Sequence, residues 1–149
     1  QFITMDFGAY YEGYVSDITR TVYYGNNITD RHKEIYNTVL EAQLLGIETI
    51  KEGVMSDEVD KVVRNFFNEK GYGKYFGHGL GHGIGAEIHE LPYLSSASQI
   101  ELKENMVVTS EPGLYFDGWG GVRIEDDVVV KKDGREVLNK SNKELIILS

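Results

Sequence analysis

The sequence predicts an α+β domain in which two helices are flanked by β-structure. Three observations indicate this class: a segment rich in Tyr, Thr, Val and Ile at 1–24, two apolar patterns of helical spacing at 30–51 and 56–70, and glycine-punctuated strand patterns after Tyr72. No repeat or long linker interrupts the 149 residues, and this length is typical of one domain.

The first 24 residues are expected to form a β-hairpin. If its turn is centred between Tyr11 and Glu12, Asp6 directly faces Asp17, with Cβ atoms about 4.5–5.5 Å apart. A centre one residue later would instead place Gly8 opposite Asp17. Like charges at facing positions destabilise a sheet unless a cation lies between them, so the first pairing indicates a cation site. The alternative is that the two aspartates cap turns.

Two helices are predicted next, and their apolar stripes indicate core packing rather than a functional site. The first runs from about Asp30 to Lys51 and ends at Gly53 as a left-handed cap, and Ser56 caps the second, which ends before Gly71. The expected buried residues are Ile35, Val39, Leu40, Leu44, Ile47 and Ile50 in the first helix, and Val59, Val62, Val63, Phe66 and Phe67 in the second.

Strands are expected at 77–90, 106–116, 122–130 and 144–148. In GHGLGHGIG at 77–85 every odd position is glycine, so an extended chain would place all five glycines on one face and His78, Leu80, His82 and Ile84 on the other. Each interior glycine costs roughly 0.5–1 kcal/mol relative to Ala. The usual reason for such glycines is that another group must come very close to the backbone.

Composition excludes several function classes. The formal net charge of −9 argues against a nucleic-acid surface, which is usually basic. No apolar run approaches the ~18–20 residues that span a bilayer, so we expect no membrane segment. The absence of cysteine excludes thiolate ligands, nucleophiles and disulfides, and it is compatible with a cytoplasmic location. A metal here must be bound by oxygen and imidazole.

Acidic residues interrupt the apolar strands in a way that indicates such a metal site. Glu111 lies in VVTSEPGLYF and Glu125 in GVRIEDDVVV, and each could also belong to a solvated strand face or a buried Arg–Glu pair. Together with Asp6 and Asp17 they supply four carboxylates, which two divalent ions would neutralise. With one imidazole, from His82 or His78, the set suits Mn²⁺, Co²⁺, Fe²⁺ or Zn²⁺ in a two-metal hydrolase.

Other motif matches fail. GHGIGA at 81–86 fits the spacing of a dinucleotide fingerprint, but the required helix does not follow it, because EIHELPYLS contains Pro92 and no helical stripe. HELPY at 89–93 lacks the second histidine of an HExxH zinc site.

Four motifs in order, DFGAYYEGYVSDITRT, GHGLGHGIGAEIHELP, TSEPGLY and GGVRIEDD, resemble the pita-bread metallopeptidases, specifically the Xaa-Pro dipeptidase and aminopeptidase P branch. The resemblance implies a curved, mostly antiparallel sheet with helices on its outer face. It also implies the ligands of two metal ions: Asp6 on one ion, Asp17 and Glu125 bridging both, and His82 and Glu111 on the other.

The resemblance further implies catalytic roles. His89 would bind the substrate carbonyl, and Glu111 would act as base and then acid as well as ligand. Arg123 would steady the bridging carboxylates. His78 would line the prolyl pocket, although it could simply be a histidine satisfied in the core. The glycines at 77–85 would let substrate and metal approach the backbone closely.

The expected substrate is a small peptide with proline after the scissile bond, and the expected ions are two Mn²⁺, with Co²⁺, Zn²⁺ or Fe²⁺ as alternatives. A methionine aminopeptidase-type exopeptidase and a catalytically silent binding module are the alternative functions. A homodimer is the family expectation. Because the chain opens without Met on an apolar run, we expect it to be a fragment. The resemblance implies that residues 1–149 are the C-terminal part of a pita-bread catalytic domain, and we expect this part to be inactive or poorly active alone.

Overall fold

The computed structural model describes all residues, 1–149, as strands around two helices. The first half contains β1 (Phe2–Phe7), β2 (Tyr10–Tyr11), β3 (Tyr14–Val15), β4 (Ile18–Tyr24), α1 (Asp30–Thr49), α2 (Ser56–Glu69) and a 3₁₀ turn (Gly73–Tyr75). The second half contains β5 (Gly81–Gly83), β6 (Glu90–Leu94), β7 (Val107–Ser110), β8 (Gly113–Phe116), β9 (Gly120–Arg123), β10 (Asp126–Lys131), β11 (Gly134–Val137) and β12 (Ile147–Leu148). No helix is both long and apolar enough to cross a bilayer.

The strands form two main sheets. One has the order β1-β4-β12 and the other the order β11-β10-β7-β5-β6, while β2-β3 and β8-β9 are separate hairpins. Every pair is antiparallel except β12 with β4, which is parallel. The predicted α+β class with a mostly antiparallel sheet is therefore confirmed.

Alternation along β7 and β10 separates a helix side of the sheet from the opposite side. Val108 and Val128 belong to the buried core that also contains Val39 of α1 and Val63 of α2. Their neighbours Thr109 and Asp127 point away from the helices, because successive side chains of a strand face opposite ways. Polar side chains on that second face can form a site, because they lie outside the apolar core.

The hairpin register differs from the first prediction. Asp6 pairs with Thr19, and Tyr11 pairs with Tyr14, so the turn is centred one residue later, between Glu12 and Gly13. Both turn residues have left-handed backbones, with φ of 48° and 90°, the geometry that a tight two-residue hairpin turn requires. Asp6 and Asp17 are consequently diagonal rather than facing neighbours.

The two helices are confirmed almost to their predicted ends. The first stops at Thr49, and Ile50 caps it in an extended conformation, so Gly53 (φ 85°) lies in the following turn and is not the predicted cap. Ser56 is the first residue of the second helix, and Met55 occupies the cap position. Leu44 was expected on the buried stripe but is 48% exposed.

The predicted strands after Tyr72 are shorter than expected. Only Gly81–Gly83 of the glycine-rich stretch is a strand, and the predicted strands at 106–116 and 122–130 each break at a glutamate. The expectation that Leu80 shares a face with the histidines is wrong, because Leu80 is fully buried in the helix-side core.

The glycines of β5 serve strand packing. A Cβ atom at Gly81 would lie 2.1 Å from the Thr109 carbonyl oxygen, and one at Gly83 would lie 2.5 Å from the Leu91 carbonyl oxygen. These contacts come from the neighbouring strand β7 and from β6. The glycines are therefore required for the close approach of adjacent backbones, and the expectation that they make room for substrate is wrong at these two positions.

We predict that Gly81→Ala destabilises the fold, because the added methyl group collides with backbone that has no room to move. Overpacking usually costs about 1–3 kcal/mol and occasionally more, and we expect the upper part of this range. Gly77→Ala is the matched control, since nothing lies within 4 Å of a Cβ atom at this exposed position. Thermal unfolding of both variants checks the prediction; equal melting temperatures would contradict it.

Candidate metal centre

Three of the predicted ligands lie where a strand ends or breaks. Asp17 lies between β3 and β4, Glu111 follows β7, and Glu125 lies between β9 and β10. Asp6 and His82 lie within β1 and β5. All five side chains line one cavity of about 450 Å³ on the face away from the helices.

The centre of this cavity holds a compact set of donor atoms. Single ligand atoms of Asp17, His82 and Glu125 lie within 4.8 Å of one another. His82 Nε2 is 3.9 Å from Asp17 Oδ2 and 3.2 Å from Glu111 Oε1. The five predicted ligands therefore lie near one another, although Asp6 and Glu111 lie outside the tightest group of three.

The ring of His82 is oriented by its own strand. Its Nδ1 lies 3.0 Å from the Gly83 carbonyl oxygen, which can only accept a hydrogen bond. Nδ1 therefore carries a proton, and Nε2 is the atom directed at the carboxylates. A backbone carbonyl commonly fixes the tautomer of a metal-binding histidine in this way.

Glu125 is held from one side only. The hydroxyl of Thr19 donates a 2.5 Å hydrogen bond to its Oε2, and the two residues also form an antiparallel bridge. Its Oε1 is buried without any hydrogen-bond partner. An orphaned carboxylate oxygen in a buried site is costly, because the transfer from water is not compensated.

The pKa values of Glu125 and Asp17 also show that burying these charges is costly. Burial, together with the charge of Glu111, raises the pKa of Glu125 to about 8. Burial and the charges of Asp6 and Glu111 also raise the pKa of Asp17. Glu125 and Asp17 thus resist ionisation as long as no cation lies among the carboxylates.

The pKa of His82 is also raised, but for a histidine this favours the charged form. Burial alone would lower its pKa, but the hydrogen bond to Glu111, the Gly83 carbonyl and the charges of Glu111 and Glu125 outweigh burial and raise the pKa to about 9. A protonated imidazole thus supplies part of the missing positive charge. Divalent cations would supply it more fully, and the unpartnered Glu125 Oε1 gives them a ligand, so the residues fit the predicted metal site.

The remaining predicted residues lie around this cluster. The exposed His89 lies 4.3 Å from His82, measured between ring centroids, and lines the same cavity. His78 and Arg123 line an adjoining cavity of about 350 Å³ that shares His82, His89 and Glu111 with the first. His78 is half-buried at a cavity wall and is not a core residue.

Arg123 joins the cluster to this second cavity. Its guanidinium donates to Asp6 Oδ2 at 2.5 Å, to Thr19 Oγ1 at 3.2 Å and to the Tyr115 hydroxyl at 2.9 Å. The Tyr115 hydroxyl is also 3.2 Å from His78 Nε2. A polar chain therefore runs from Asp6 to His78.

Sequence reasoning missed Thr19, Tyr115 and Asp127. Asp127 Oδ2 accepts a 3.1 Å hydrogen bond from the Asp17 backbone N–H and so holds that ligand in place. Each of the three lies in a motif that also contains a predicted site residue, namely DITRT, TSEPGLY and GGVRIEDD. That proximity was the available signal, but the hydrogen bonds depend on the register between distant strands.

Known proteins resemble this chain in both sequence and fold. A model of metallopeptidase family M24 matches residues 1–132. The chain is 47% identical over 144 residues to the Xaa-Pro dipeptidase of Pyrococcus horikoshii, a match covering 97% of this chain and 41% of that protein. The solved Xaa-Pro dipeptidase from Bacillus anthracis (58% identity, TM-score 0.95) and X-Pro aminopeptidase from Thermotoga maritima (47%, 0.95) each match 99% of this chain and 41% of their own.

The fold is that of the pita-bread proteins, and the cluster of carboxylates around one imidazole is a candidate metal site within it. The chain belongs to metallopeptidase family M24, as the order of its four motifs indicated. It spans about two fifths of the length of the relatives named above, since 41% of each is covered.

We predict that the metal-free protein loses stability as pH rises from 6 to 8.5. Folded Glu125 keeps its proton up to pH about 8, whereas the unfolded value is 4.5, so the unfolded state binds fewer protons across this window. The stabilising charge of His82, whose pKa is about 9 when folded and 6.5 when unfolded, is lost in the same direction. Each proton contributes a slope of about 1.4 kcal/mol per pH unit.

Denaturant unfolding in EDTA at both pH values checks this prediction. Glu125→Gln, which has no proton to lose, should show a smaller decrease in unfolding free energy. Adding Mn²⁺ should remove most of the wild-type decrease, because an ion that binds only the folded state stabilises it. Parallel losses in the wild type and the variant would show that Glu125 does not carry the effect.

Proposed function

We propose that the protein is a dinuclear metal-dependent exopeptidase that hydrolyses the bond between an N-terminal residue and proline. The observation that carries the proposal is the convergence of four carboxylates and one oriented imidazole on a cavity in which Glu125 Oε1 has no partner. The preference for proline is supported by the names of the relatives, among them Xaa-Pro dipeptidase and X-Pro aminopeptidase.

Asp6 would hold one ion, His82 and Glu111 the other, and Asp17 and Glu125 both. When bound, the ions would polarise the scissile carbonyl group and lower the pKa of a water molecule. Mn²⁺ is the proposed metal, and Co²⁺, Zn²⁺ or Fe²⁺ are the alternatives for a set of oxygen ligands with one imidazole. The homodimer, the cytoplasmic location and the assignment of residues 1–149 to the C-terminal part of the catalytic domain stay predictions.

The protein's own side chains would perform the remaining chemistry. His89 is exposed to the cavity beside His82, so its ring can donate a hydrogen bond to the carbonyl oxygen of the substrate as negative charge develops there. The Glu111 carboxylate would take a proton from the attacking water and deliver it to the prolyl nitrogen. A proton donor is needed at this step, because without a proton the nitrogen would have to leave as an amide anion.

The prolyl ring would occupy the adjoining cavity. Its lining includes His78, Tyr93 and Ser95, and Arg123 at its edge is already engaged by Asp6 and Tyr115. The tyrosine and histidine rings can pack against the pyrrolidine ring, which supports a proline at this position.

A substrate panel tests the proposed function in the purified full-length protein. With Mn²⁺ we expect hydrolysis of Ala-Pro or Ala-Pro-Ala, loss of activity after chelation, and restoration by added metal. Asp17→Ala should abolish activity and weaken metal binding, because it removes a carboxylate shared by both ions. Faster cleavage of Met-Ala-Ser would favour the methionine aminopeptidase alternative, and absence of both metal binding and hydrolysis would favour a binding module.

We predict a separate effect for His89. His89→Ala should lower kcat by about 10²-fold or more, the size expected when one donor to a developing oxyanion is removed, while the affinity for Mn²⁺ stays within about twofold. Steady-state kinetics and calorimetry on the same preparation measure the two quantities. A large loss of metal affinity would show instead that His89 is a ligand.

A further inference from the structure

A buried ionic cluster lies directly behind the candidate metal centre, on the helix side of β10. The carboxylate of Asp126 is completely buried and receives three hydrogen bonds: from Arg20 Nη2 at 2.7 Å, Gln43 Nε2 at 2.8 Å and Lys143 Nζ at 2.8 Å. Lys143 also donates to Gln43 Oε1 at 3.2 Å. These four residues are called the Asp126 cluster below.

The cluster is connected to the site through the backbone. Arg20 Nη1 donates to the carbonyl oxygen of Glu125 at 2.6 Å and to that of Thr19 at 2.9 Å. Glu125 is the proposed bridging ligand, and Thr19 is the residue that holds its carboxylate. One guanidinium thus fixes the main chain of both partners in the Thr19–Glu125 hydrogen bond.

The C-terminal segment completes the cluster. Arg20 donates from Nη2 to the Ser141 carbonyl at 3.3 Å and from Nε to the Asn142 carbonyl at 3.2 Å, and Lys143 follows directly. Residues 141–143 therefore hold Arg20 and Asp126 from the side opposite to the metal ligands. None of the cluster side chains lines either cavity of the site.

Stability alone gives a weak reason for this arrangement. A buried carboxylate with two cations pays a large desolvation cost, and apolar side chains of similar volume often stabilise a core equally well. Geometry gives a better reason, because residues behind a metal ligand commonly determine its orientation. The cluster has three donors on one carboxylate and a rigid guanidinium that links two strands.

We propose that the Asp126 cluster positions Glu125 for metal binding, and that Lys143 and Gln43 are positioning residues although they do not reach the site. This inference rests on the proposed function, since it assumes that Glu125 binds metal. Lys143 holds the Asp126 carboxylate, Asp126 holds Arg20, and Arg20 holds the main chain of Glu125 and Thr19. Loss of Lys143 would loosen the hold of Arg20 on the main chain of Glu125 and Thr19, and the Glu125 carboxylate would become less well positioned.

The direction of the change in metal affinity distinguishes a positioning role from a purely electrostatic effect. Removing a cation near a group of carboxylates makes the site more negative, which by Coulomb's law strengthens the attraction for a divalent ion. Positioning predicts the opposite result, a weaker affinity. A role in stability alone predicts a lower melting temperature with unchanged metal affinity.

The experiment is calorimetric titration of metal-stripped, full-length protein with Mn²⁺. For Lys143→Met we expect about a tenfold weaker affinity, the lower end of the range for residues that orient ligands. Lys143→Arg, which keeps a donor for Asp126, should stay within about threefold of the wild type. Lys140→Met is the matched control, because it removes the same charge from an exposed lysine of the same segment, and it should stay within about twofold.

Gln43→Met supplies a variant without a change of charge, and we expect weaker Mn²⁺ binding here too, since Asp126 loses one donor. Unchanged or tighter Mn²⁺ binding in Lys143→Met and Gln43→Met would overturn the inference. Loss of folding in both variants would also overturn it, because the cluster would then be a requirement of the fold. Wild-type protein that binds no divalent ion would overturn the proposed function as well, whereas normal wild-type binding with insensitive variants overturns the positioning role alone.

Discussion

The constraint on which this structure depends is the burial of like charges in one cavity. Glu125 is 1% exposed, and the charges of Glu111, Asp17 and Asp6 raise its pKa. Asp6 and Glu111 also raise the pKa of Asp17. Such an arrangement survives only where cations or protons compensate the charge. Here the protonated His82 and the guanidinium of Arg123 compensate in part, and the orphaned Glu125 Oε1 marks where compensation is incomplete.

The fold meets this constraint by breaking strands at the donors. Regular alternation would send every second residue to one face, but Glu111 and Glu125 each lie between two strands of different sheets. At Glu111 the chain passes from the five-stranded sheet to the β8–β9 hairpin, and at Glu125 it returns to the sheet. Each break lets one side chain enter the cavity while the residues on either side of it stay buried, so rigid elements surround a site made of their ends.

The element types, and the five side chains that line one cavity, were predictable from sequence, whereas register and packing were not. Apolar residues at helical spacing determine α1 and α2, and four motifs in order determine the candidate ligands. The hairpin register depends on whether the turn lies at Tyr11–Glu12 or Glu12–Gly13, and only the left-handed backbones of Glu12 and Gly13 decide it. The role of Gly81 depends on the Thr109 carbonyl, which is distant in sequence, and the glycine pattern alone misled the interpretation.

The consecutive residues Glu125, Asp126 and Asp127 have three different roles. Glu125 enters the cavity, where burial and charge hold its pKa near 8. Asp126 turns to the helices and is neutralised by Arg20 and Lys143, and Asp127 turns back to bind the Asp17 main chain. Because alternation sends Asp126 and Asp127 to opposite faces, the strand after Glu125 is held from both sides. The Glu125 carboxylate, which repels its neighbours, is thereby kept in place by residues that line neither cavity of the candidate site.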